Sequence, residues 1–414
     1  MLPPVLEIYV VWHPGDKAGK LIAEEFVRHF RGASFSGVIG GGVHVSARSY
    51  GWTSITDAPQ PIYTARSPAP NGLTAARYVA IVPLLGNQLA KAVQQEGSPW
   101  HAYVSGFSAL AIDTSTGIFP YLLNSEAMDG TILSDLLGAY QQIAAGDATA
   151  SQETVSSLRT RDLTQSIAQH LSPVDEERLR VFISHTKHGF FPDGSEVQTL
   201  VQAVRRGIAQ TRLADFFDAR DLQPGKDWAA ELEANAANSA LLSIRTDLYA
   251  SRDWCQREVS IAKRSGMPVV TIDAIGRGEQ RGSFLLDHVP RVPVRQSNDN
   301  WNQNDIMRGL NLLVDECLKR VIWLRQQELA IEVADLGISW WASHAPEPLT
   351  LQDWIDQIDE NSDLPPDGGA FRIMHPDPPL GTEERRVLDS MMRASRFKRP
   401  LDIMTPRMLA ARGV

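Results

Sequence analysis

The chain has 414 residues, of which 43% are hydrophobic and 21% charged, and this length predicts two or three globular domains. Its 40 Lys and Arg residues against 49 Asp and Glu residues leave a net charge of −9, which argues against a protein that coats nucleic acid. The only two cysteines, Cys255 and Cys317, exclude a disulfide framework and a cysteine zinc site. No pair of histidines has metal-ligand spacing together with a third ligand, so we expect no structural metal. Two free thiols and the lack of an apolar run of about 18 residues predict a cytoplasmic chain without a membrane segment.

The first block, residues 1–125, has the pattern of an α/β domain. The apolar run Val5–Trp12 predicts a buried strand that ends at a His-Pro-Gly loop signal. Apolar residues then recur at helical spacing from Leu21 to Phe30, and Tyr78–Leu85 predicts a second strand. We expect a regulatory or assembly domain here.

Residues 126–177 are polar, rich in Gln, Ala, Ser and Thr, and their apolar spacing is too sparse to form a core of their own. The pattern predicts a linker that contains one or two helices.

The central block, residues 178–328, alternates strand and helix patterns. Its predicted strands are Leu179–Ser184, Ala214–Phe217, Ala240–Ile244 and Pro268–Asp273. Helix patterns lie between them, one of which opens near Ser251, and a long helix from about Asn304 to Gln327 closes the block. This alternation predicts a mainly parallel sheet with helices on both faces.

The last block, residues 329–414, contains one clear strand–loop–helix pattern. The strand Phe371–Met374 is followed by a His-Pro loop and by a helix that Glu383 leads. We expect a small C-terminal α/β region.

Three motifs in the central block occur in order, each next to the expected strand or helix. They are Phe182-Ile-Ser184-His185, the segment Phe217-Asp-Ala-Arg-Asp-Leu-Gln-Pro-Gly-Lys-Asp-Trp228, and Ser251-Arg-Asp-Trp254-Cys255-Gln-Arg-Glu258. Together they resemble a TIR (Toll/interleukin-1 receptor) domain, and the resemblance covers about 150 residues. It implies a flavodoxin-like α/β fold. The N-terminal block has the rough order of a TIR-like or a nucleoside-transferase-like α/β fold. Its helix Asn87–Glu96 lacks a Trp-Cys pair before a glutamate, so we expect an inactive, regulatory or assembly domain there.

The resemblance also implies an enzyme, because many bacterial TIR domains cleave NAD⁺, often in antiphage defence. The family's catalytic residue is the glutamate that ends the Trp-Cys-x-x-Glu motif, which is Glu258 here. Cleavage of the nicotinamide–ribose bond releases a neutral pyridine, so the leaving group needs no proton. Positive charge develops on the ribose, and one carboxylate can stabilise it. NAD⁺ is then a substrate, and no cofactor is expected.

Further candidates surround this glutamate. The candidate substrate-binding residues are Ser184, His185, Lys187, Arg220, Trp228, Tyr249, Ser251 and Trp254. Ser251 stands where a helix N-cap would, and Trp254 shares a helix face with Glu258.

Other interpretations of these residues stay open. His185 and Lys187 contact dinucleotide phosphates or form a polar surface loop, and Arg220 meets a phosphate or a surface carboxylate. Tyr249 stacks on a base or fills the core, and core packing is favoured. Asp218 and Asp221 act in the loop that corresponds to the family's BB loop or serve as turn residues. Cys255 is expected to be a small buried thiol.

The leading hypothesis is therefore a TIR-type NAD⁺ nucleosidase that yields ADP-ribose or a cyclic isomer and is activated by self-association through TIR domains. The alternative is a non-catalytic TIR scaffold or adaptor that signals through TIR–TIR contacts. A third hypothesis makes the flanking blocks a sensor for an activating partner.

Overall fold

A computed structural model of the chain describes most of its residues. The described residues are 4–35, 43–51, 54, 57–70, 74–144, 152–172, 179–187, 195–211, 213–217, 236–279, 281–297, 300–333, 336–358, 365 and 369–412. The chain forms two compact units, Met1–Val174 and Asp175–Val414. Both are of the α/β class, as predicted, with parallel sheets and flanking helices.

The first unit is built on a parallel five-stranded sheet. Its strands are β1 (Leu6–Val11), β2 (His44–Arg48), β3 (Tyr78–Leu85), β4 (Thr116–Ile118) and β5 (Tyr121–Leu122). Four of them lie in the order β2-β1-β3-β4, and β5 also pairs with β3. The helices are α1 (Lys17–Phe30), α2 (Asn87–Gln94), α3 (Pro99–Ser105), α4 (Phe107–Leu110), α5 (Ile132–Leu137) and α6 (Gln152–Leu171).

Helix α6 belongs to this first unit, which corrects the expectation of a linker at residues 126–177. Its residues Leu163, Ile167 and Leu171 are buried, and Thr164 Oγ1 lies 3.1 Å from His29 Nε2 on α1. Apolar spacing alone could not reveal this packing, because the helix also buries polar residues such as Arg161. The buried face of α6 therefore contains polar as well as apolar residues, and the apolar spacing in the sequence underestimates how much of the helix is buried.

The second unit begins with a parallel sheet in the order β10-β9-β8-β6-β7. Its strands are β6 (Arg180–His185), β7 (Ala214–Phe217), β8 (Ala240–Arg245), β9 (Val269–Asp273) and β10 (Arg291–Pro293). Counted from the first strand, this is the order 2-1-3-4-5 of flavodoxin-like sheets. In such sheets the crevice at the carboxyl ends of the first and third strands, here β6 and β8, is where ligands bind.

Within the described residues, three long helices accompany this sheet, namely α7 (Ser195–Ala209), α8 (Asp253–Arg264) and α9 (Gln303–Val333). A short antiparallel pair, β11 (Gln296–Ser297) and β12 (Asn300–Trp301), precedes α9. Helix α8 follows β8 after a 3-10 turn at Tyr249–Ser251. It buries Cys255, Val259 and Ala262 against Phe182 and Leu241 of the sheet.

The C-terminal region belongs to the same compact unit as the central sheet. Its parallel sheet has the order β13 (Trp340–Trp341), β14 (Phe371–Met374), β15 (Leu401–Met404). Its helices are α10 (Pro348–Gln357), α11 (Thr382–Ala394) and α12 (Pro406–Ala411). The division expected at residue 328 falls inside the continuous helix α9, so the structure has no domain boundary there.

None of the helices within the described ranges is long and apolar enough to cross a membrane.

Candidate functional site

A row of hydroxyl side chains crosses the central sheet near the carboxyl ends of its strands. Ser184 of β6 pairs in register with Ser243 of β8, which pairs with Thr271 of β9. All three are buried, and Ser243 Oγ lies 2.7 Å from Thr271 Oγ1. Side chains two residues apart share a face of a strand, so the row two residues earlier lies on the same face of the sheet. That earlier row is apolar and includes Phe182. The face therefore changes from apolar to polar toward the carboxyl edge.

Glu258 of α8 meets this row. Its carboxylate accepts a hydrogen bond from Ser184 Oγ, with 2.5 Å between Oγ and Oε2. The residue is 5% exposed, so the carboxylate is held in the interior rather than on a solvated helix face. The sequence-predicted catalytic residue and Ser184 thus come together near the carboxyl ends of β6 and β8, the edge at which sheets of this order bind ligands.

Tyr249 extends the same hydrogen-bonded chain. Its hydroxyl oxygen lies 2.6 Å from Ser184 Oγ. A serine hydroxyl has one proton, and since Ser184 donates it to Glu258, Tyr249 is the donor to Ser184. Burial raises the pKa of Tyr249 well above its ordinary value, which keeps this proton on the phenol. The chain runs Tyr249, Ser184, Glu258, and of the two roles left open for Tyr249 the structure shows core packing.

Cys255 lies one helical turn before Glu258 and is buried, as expected. Burial, followed by the nearby charge of Glu258, raises the pKa of its thiol to about 12. A thiol with so high a pKa is a poor nucleophile at neutral pH.

The loops beside the site are fixed by buried and partly buried charges. Asp247 Oδ1, just after β8, accepts hydrogen bonds from the backbone N–H groups of Gly276 and Gly278 at 3.1 and 2.9 Å. Arg245 Nε, at the end of β8, donates to Glu279 Oε1 at 2.8 Å. These contacts order the loop after β9 at the same edge of the sheet as Glu258.

Three other predicted site residues, His185, Lys187 and Trp254, are also described by the structure. His185 ends β6 and is half-buried, and its Nδ1 lies 3.0 Å from Thr186 O. Lys187 is exposed. Trp254 is half-buried and packs against the apolar cluster beneath α8, with the Arg257 guanidinium 5.3 Å from its ring centroid.

The N-cap role predicted for Ser251 is wrong. Helix α8 begins one residue later than expected, with Arg252 at the N-cap position. Ser251 ends the preceding 3-10 turn, and its Oγ donates to Leu248 O at 2.8 Å. The serine is exposed and stabilises the turn, so its hydroxyl is not part of the buried cluster.

The predicted loop that corresponds to the family's BB loop lies outside the described residues. This applies to Asp218, Arg220, Asp221 and Trp228. Their expected roles stay predictions.

The first unit differs from the central sheet at the equivalent edge. The sheet face that α2 covers stays apolar to the strand ends, with Val11 and Leu85 both buried. The carboxylate of Asp16, in the loop after β1, accepts hydrogen bonds from the backbone N–H groups of Gln88 and Leu89 at 3.1 and 3.0 Å. It therefore caps the N-terminus of α2, and the carboxylate there serves a structural purpose.

Ser243 and Thr271 were missed by the sequence analysis. A signal for them exists, because each of the strands β6, β8 and β9 carries one Ser or Thr near its carboxyl end within an apolar run. As regards metals, the described ranges contain no group of three or more His, Cys, Asp and Glu side chains that could hold an ion.

Comparisons with known proteins add little. No family model matches the chain, and no curated protein matches it. Among solved structures, the chain is similar to the crystal structure of tagatose-6-phosphate ketose/aldose isomerase from Escherichia coli, with 13% identity, 78% of this chain and 84% of that chain covered, and a TM-score of 0.21. A TM-score this low supports no argument about activity.

Proposed function

We propose that the chain cleaves the nicotinamide–ribose bond of NAD⁺, with Glu258 as the catalytic residue. The observation that carries the proposal is the placement of the Glu258 carboxylate beside Ser184, near the carboxyl ends of β6 and β8 in a sheet with the 2-1-3-4-5 order. This is the position in which such sheets bind ligands. The motif resemblance of the central block supports the same residue independently.

The chemistry needs one buried carboxylate and no metal or second acid. The bond between ribose C1′ and the pyridinium nitrogen breaks, and its electron pair leaves with nicotinamide, which becomes neutral. The ribosyl cation that forms is stabilised by the Glu258 carboxylate, whose charge acts strongly in an interior of low dielectric constant. Water then attacks C1′ and loses a proton to give ADP-ribose. Attack by a nitrogen of the substrate's own adenine gives a cyclic isomer instead.

The state described by the structure is a resting one under this proposal. Glu258 is 5% exposed, and its Oε2 is already engaged by Ser184. A ribose hydroxyl would have to replace or join Ser184 at the carboxylate. Self-association through the central sheet domain, or a partner, is proposed to open the crevice, which would suit a bacterial antiphage effector that must stay silent until triggered.

The alternative is a non-catalytic scaffold that acts through contacts between TIR domains. The burial of Glu258 favours it, because a buried carboxylate that accepts a hydrogen bond from Ser184 also has a structural use. The two proposals differ in what Glu258 does, so a substitution that preserves its shape separates them.

The experiment compares wild type with Glu258→Gln in NAD⁺ turnover, with separation of products, over a range of protein concentrations. Gln keeps an oxygen that accepts from Ser184 but loses the charge that the ribosyl cation needs. Glu328→Gln, at a half-exposed glutamate of α9, is the matched control. We expect turnover that rises faster than linearly with protein, is retained in the control, and falls by about 10²–10³-fold in Glu258→Gln. Equal turnover in Glu258→Gln and wild type would refute the catalytic role.

A further inference from the structure

We infer that the C-terminal region, 336–358 with 369–412, positions Glu258 by holding the last turn of α8, and that Lys263 is the central positioning residue. The inference deepens the proposed function and rests on it for its catalytic meaning. The hold itself is a property of the fold that can be measured separately.

Lys263 connects three elements. Its Nζ lies 2.8 Å from Glu347 Oε1 and donates to Asp287 O at 3.2 Å. The side chains of Lys263 and Glu347 are only 10% and 12% exposed, so this pair is not a solvated surface contact. Removing one partner of such a pair leaves the other charge poorly compensated, which is costly.

Glu347 has a second task at the same time. It is the N-cap residue of α10, where its backbone N–H donates to Thr350 Oγ1 at 3.1 Å. The residue that begins α10 is therefore the one whose carboxylate binds the last turn of α8. Two helices thus share one anchoring group, and the position of each constrains the other.

A second ion pair and the turn after the helix add to this hold. Arg264 Nε donates to Asp353 Oδ2 of α10 at 2.7 Å. Gly266 ends α8 with a φ of +63°, and a Cβ at this position would lie 2.4 Å from Ser343 Oγ. Arg320 Nε of α9 donates to Gly266 O at 2.7 Å. The end of α8 is thus held from α9, α10 and the loop after β13.

The restraint reaches Glu258 through the helix itself. Glu258 precedes Lys263 by five residues, about 7.5 Å along a helix. Leu349 of α10 also packs against the apolar cluster that contains Cys255 and Val259, the two buried neighbours of Glu258 on α8. A turn of α8 about its axis would move the Glu258 carboxylate away from Ser184, and the contacts at Lys263 oppose that turn.

The test uses the full chain with Lys263→Met and Glu347→Gln. Met keeps the apolar stem of Lys263, and Gln keeps the shape of Glu347 without its charge. Lys319→Met is the matched control, because Lys319 pairs with Glu316 within α9 at 2.6 Å. Iodoacetamide labelling of Cys255, followed by mass spectrometry at the peptide level, reports the opening of α8, and buried Cys317 reports global unfolding in the same sample.

We expect Cys255 labelling to rise about tenfold in Lys263→Met and Glu347→Gln while Cys317 labelling and the control stay unchanged. Where wild type turns over NAD⁺, kcat should change in both variants with little change in KM, because the carboxylate and not substrate binding is displaced. Unchanged Cys255 labelling in both variants overturns the inference.

Two further outcomes are distinguished. If both cysteines become labelled in Lys263→Met, that variant has unfolded. The same labelling is then measured in Arg264→Glu, in Asp353→Arg and in the double variant. Each single substitution should expose Cys255 and the double variant should protect it again, whereas failure of the double variant to do so counts against the inference. If labelling changes as expected but no variant, including wild type, consumes NAD⁺, the hold stands and the proposed function fails.

Discussion

Gly266 permits a sharp prediction about the end of α8. Its φ of +63° lies in the left-handed region, and an added Cβ would lie 2.4 Å from Ser343 Oγ and 2.8 Å from Ser343 Cβ. Gly337, in the same unit, has a φ of +57°, but the nearest atom a Cβ would meet there is Arg372 Nη1 at 3.7 Å, an ordinary contact. Gly337→Ala therefore carries the backbone strain without the collision.

The two costs can be separated. An alanine in the left-handed region costs about 1–2 kcal/mol, and its smaller freedom in the unfolded chain returns about 0.4–1 kcal/mol. Gly337→Ala should thus lower the free energy of unfolding by about 1 kcal/mol. Gly266→Ala adds the cost of displacing Ser343, about 1–3 kcal/mol for overpacking, for a total of about 2–4 kcal/mol.

The assay is hydrogen–deuterium exchange of the 253–264 and 348–357 peptides in increasing urea, because the two compact units need not unfold as one transition. The double variant Gly266→Ala with Ser343→Gly removes the colliding side chain and should return to the loss seen for Gly337→Ala. Equal losses in the two single variants, or no recovery in the double variant, would refute the close packing of Ser343 on Gly266.

Two further predictions concern the buried cluster. Tyr249→Phe removes the donor to Ser184 but leaves the hydrogen bond from Ser184 to Glu258. We therefore expect the free energy of unfolding in urea to fall by about 1 kcal/mol and NAD⁺ turnover to fall less than tenfold. A fall in turnover as large as that of Glu258→Gln would show that Tyr249 takes part in the reaction. Cys255, with its pKa raised to about 12, should react with iodoacetamide at pH 8 about 10³-fold more slowly than an ordinary thiol, and its rate should still be rising at pH 10. Because the folded pKa lies above the unfolded one, this thiol stabilises the fold fully below about pH 8.5 and loses that contribution as pH rises to about 12. A labelling rate that levels off below pH 10 would contradict the shift.

Four of the five strands of the central sheet could be predicted because their signals are local, whereas the short edge strand Arg291–Pro293 was missed. Apolar runs four to six residues long predict strands. The placement of Glu258 after the strand Ala240–Arg245 follows from chain order alone. The location of Glu258 at the carboxyl edge of the sheet was therefore predictable.

Polar residues that become buried were the main source of error. In α6, Arg161 and Thr164 lie in the interior although their side chains are polar, so the hydrophobic pattern indicated a linker. At Ser251, the helix begins one residue later than the N-cap preference suggests, because a 3-10 turn ends there first. Both cases depend on neighbours that a local pattern does not contain.

The sequence by itself determined the α/β class, the parallel order of strand and helix in the central block, and the helix on which Glu258 stands. Only the tertiary structure decided what Glu258 touches and how it is held. Ser184 lies 74 positions from Glu258 along the chain, and Glu347 lies 84 positions from Lys263. Such pairs are brought together by sheet register and by the packing of α10 on α8, and the side chains of both elements must be in place before either contact exists.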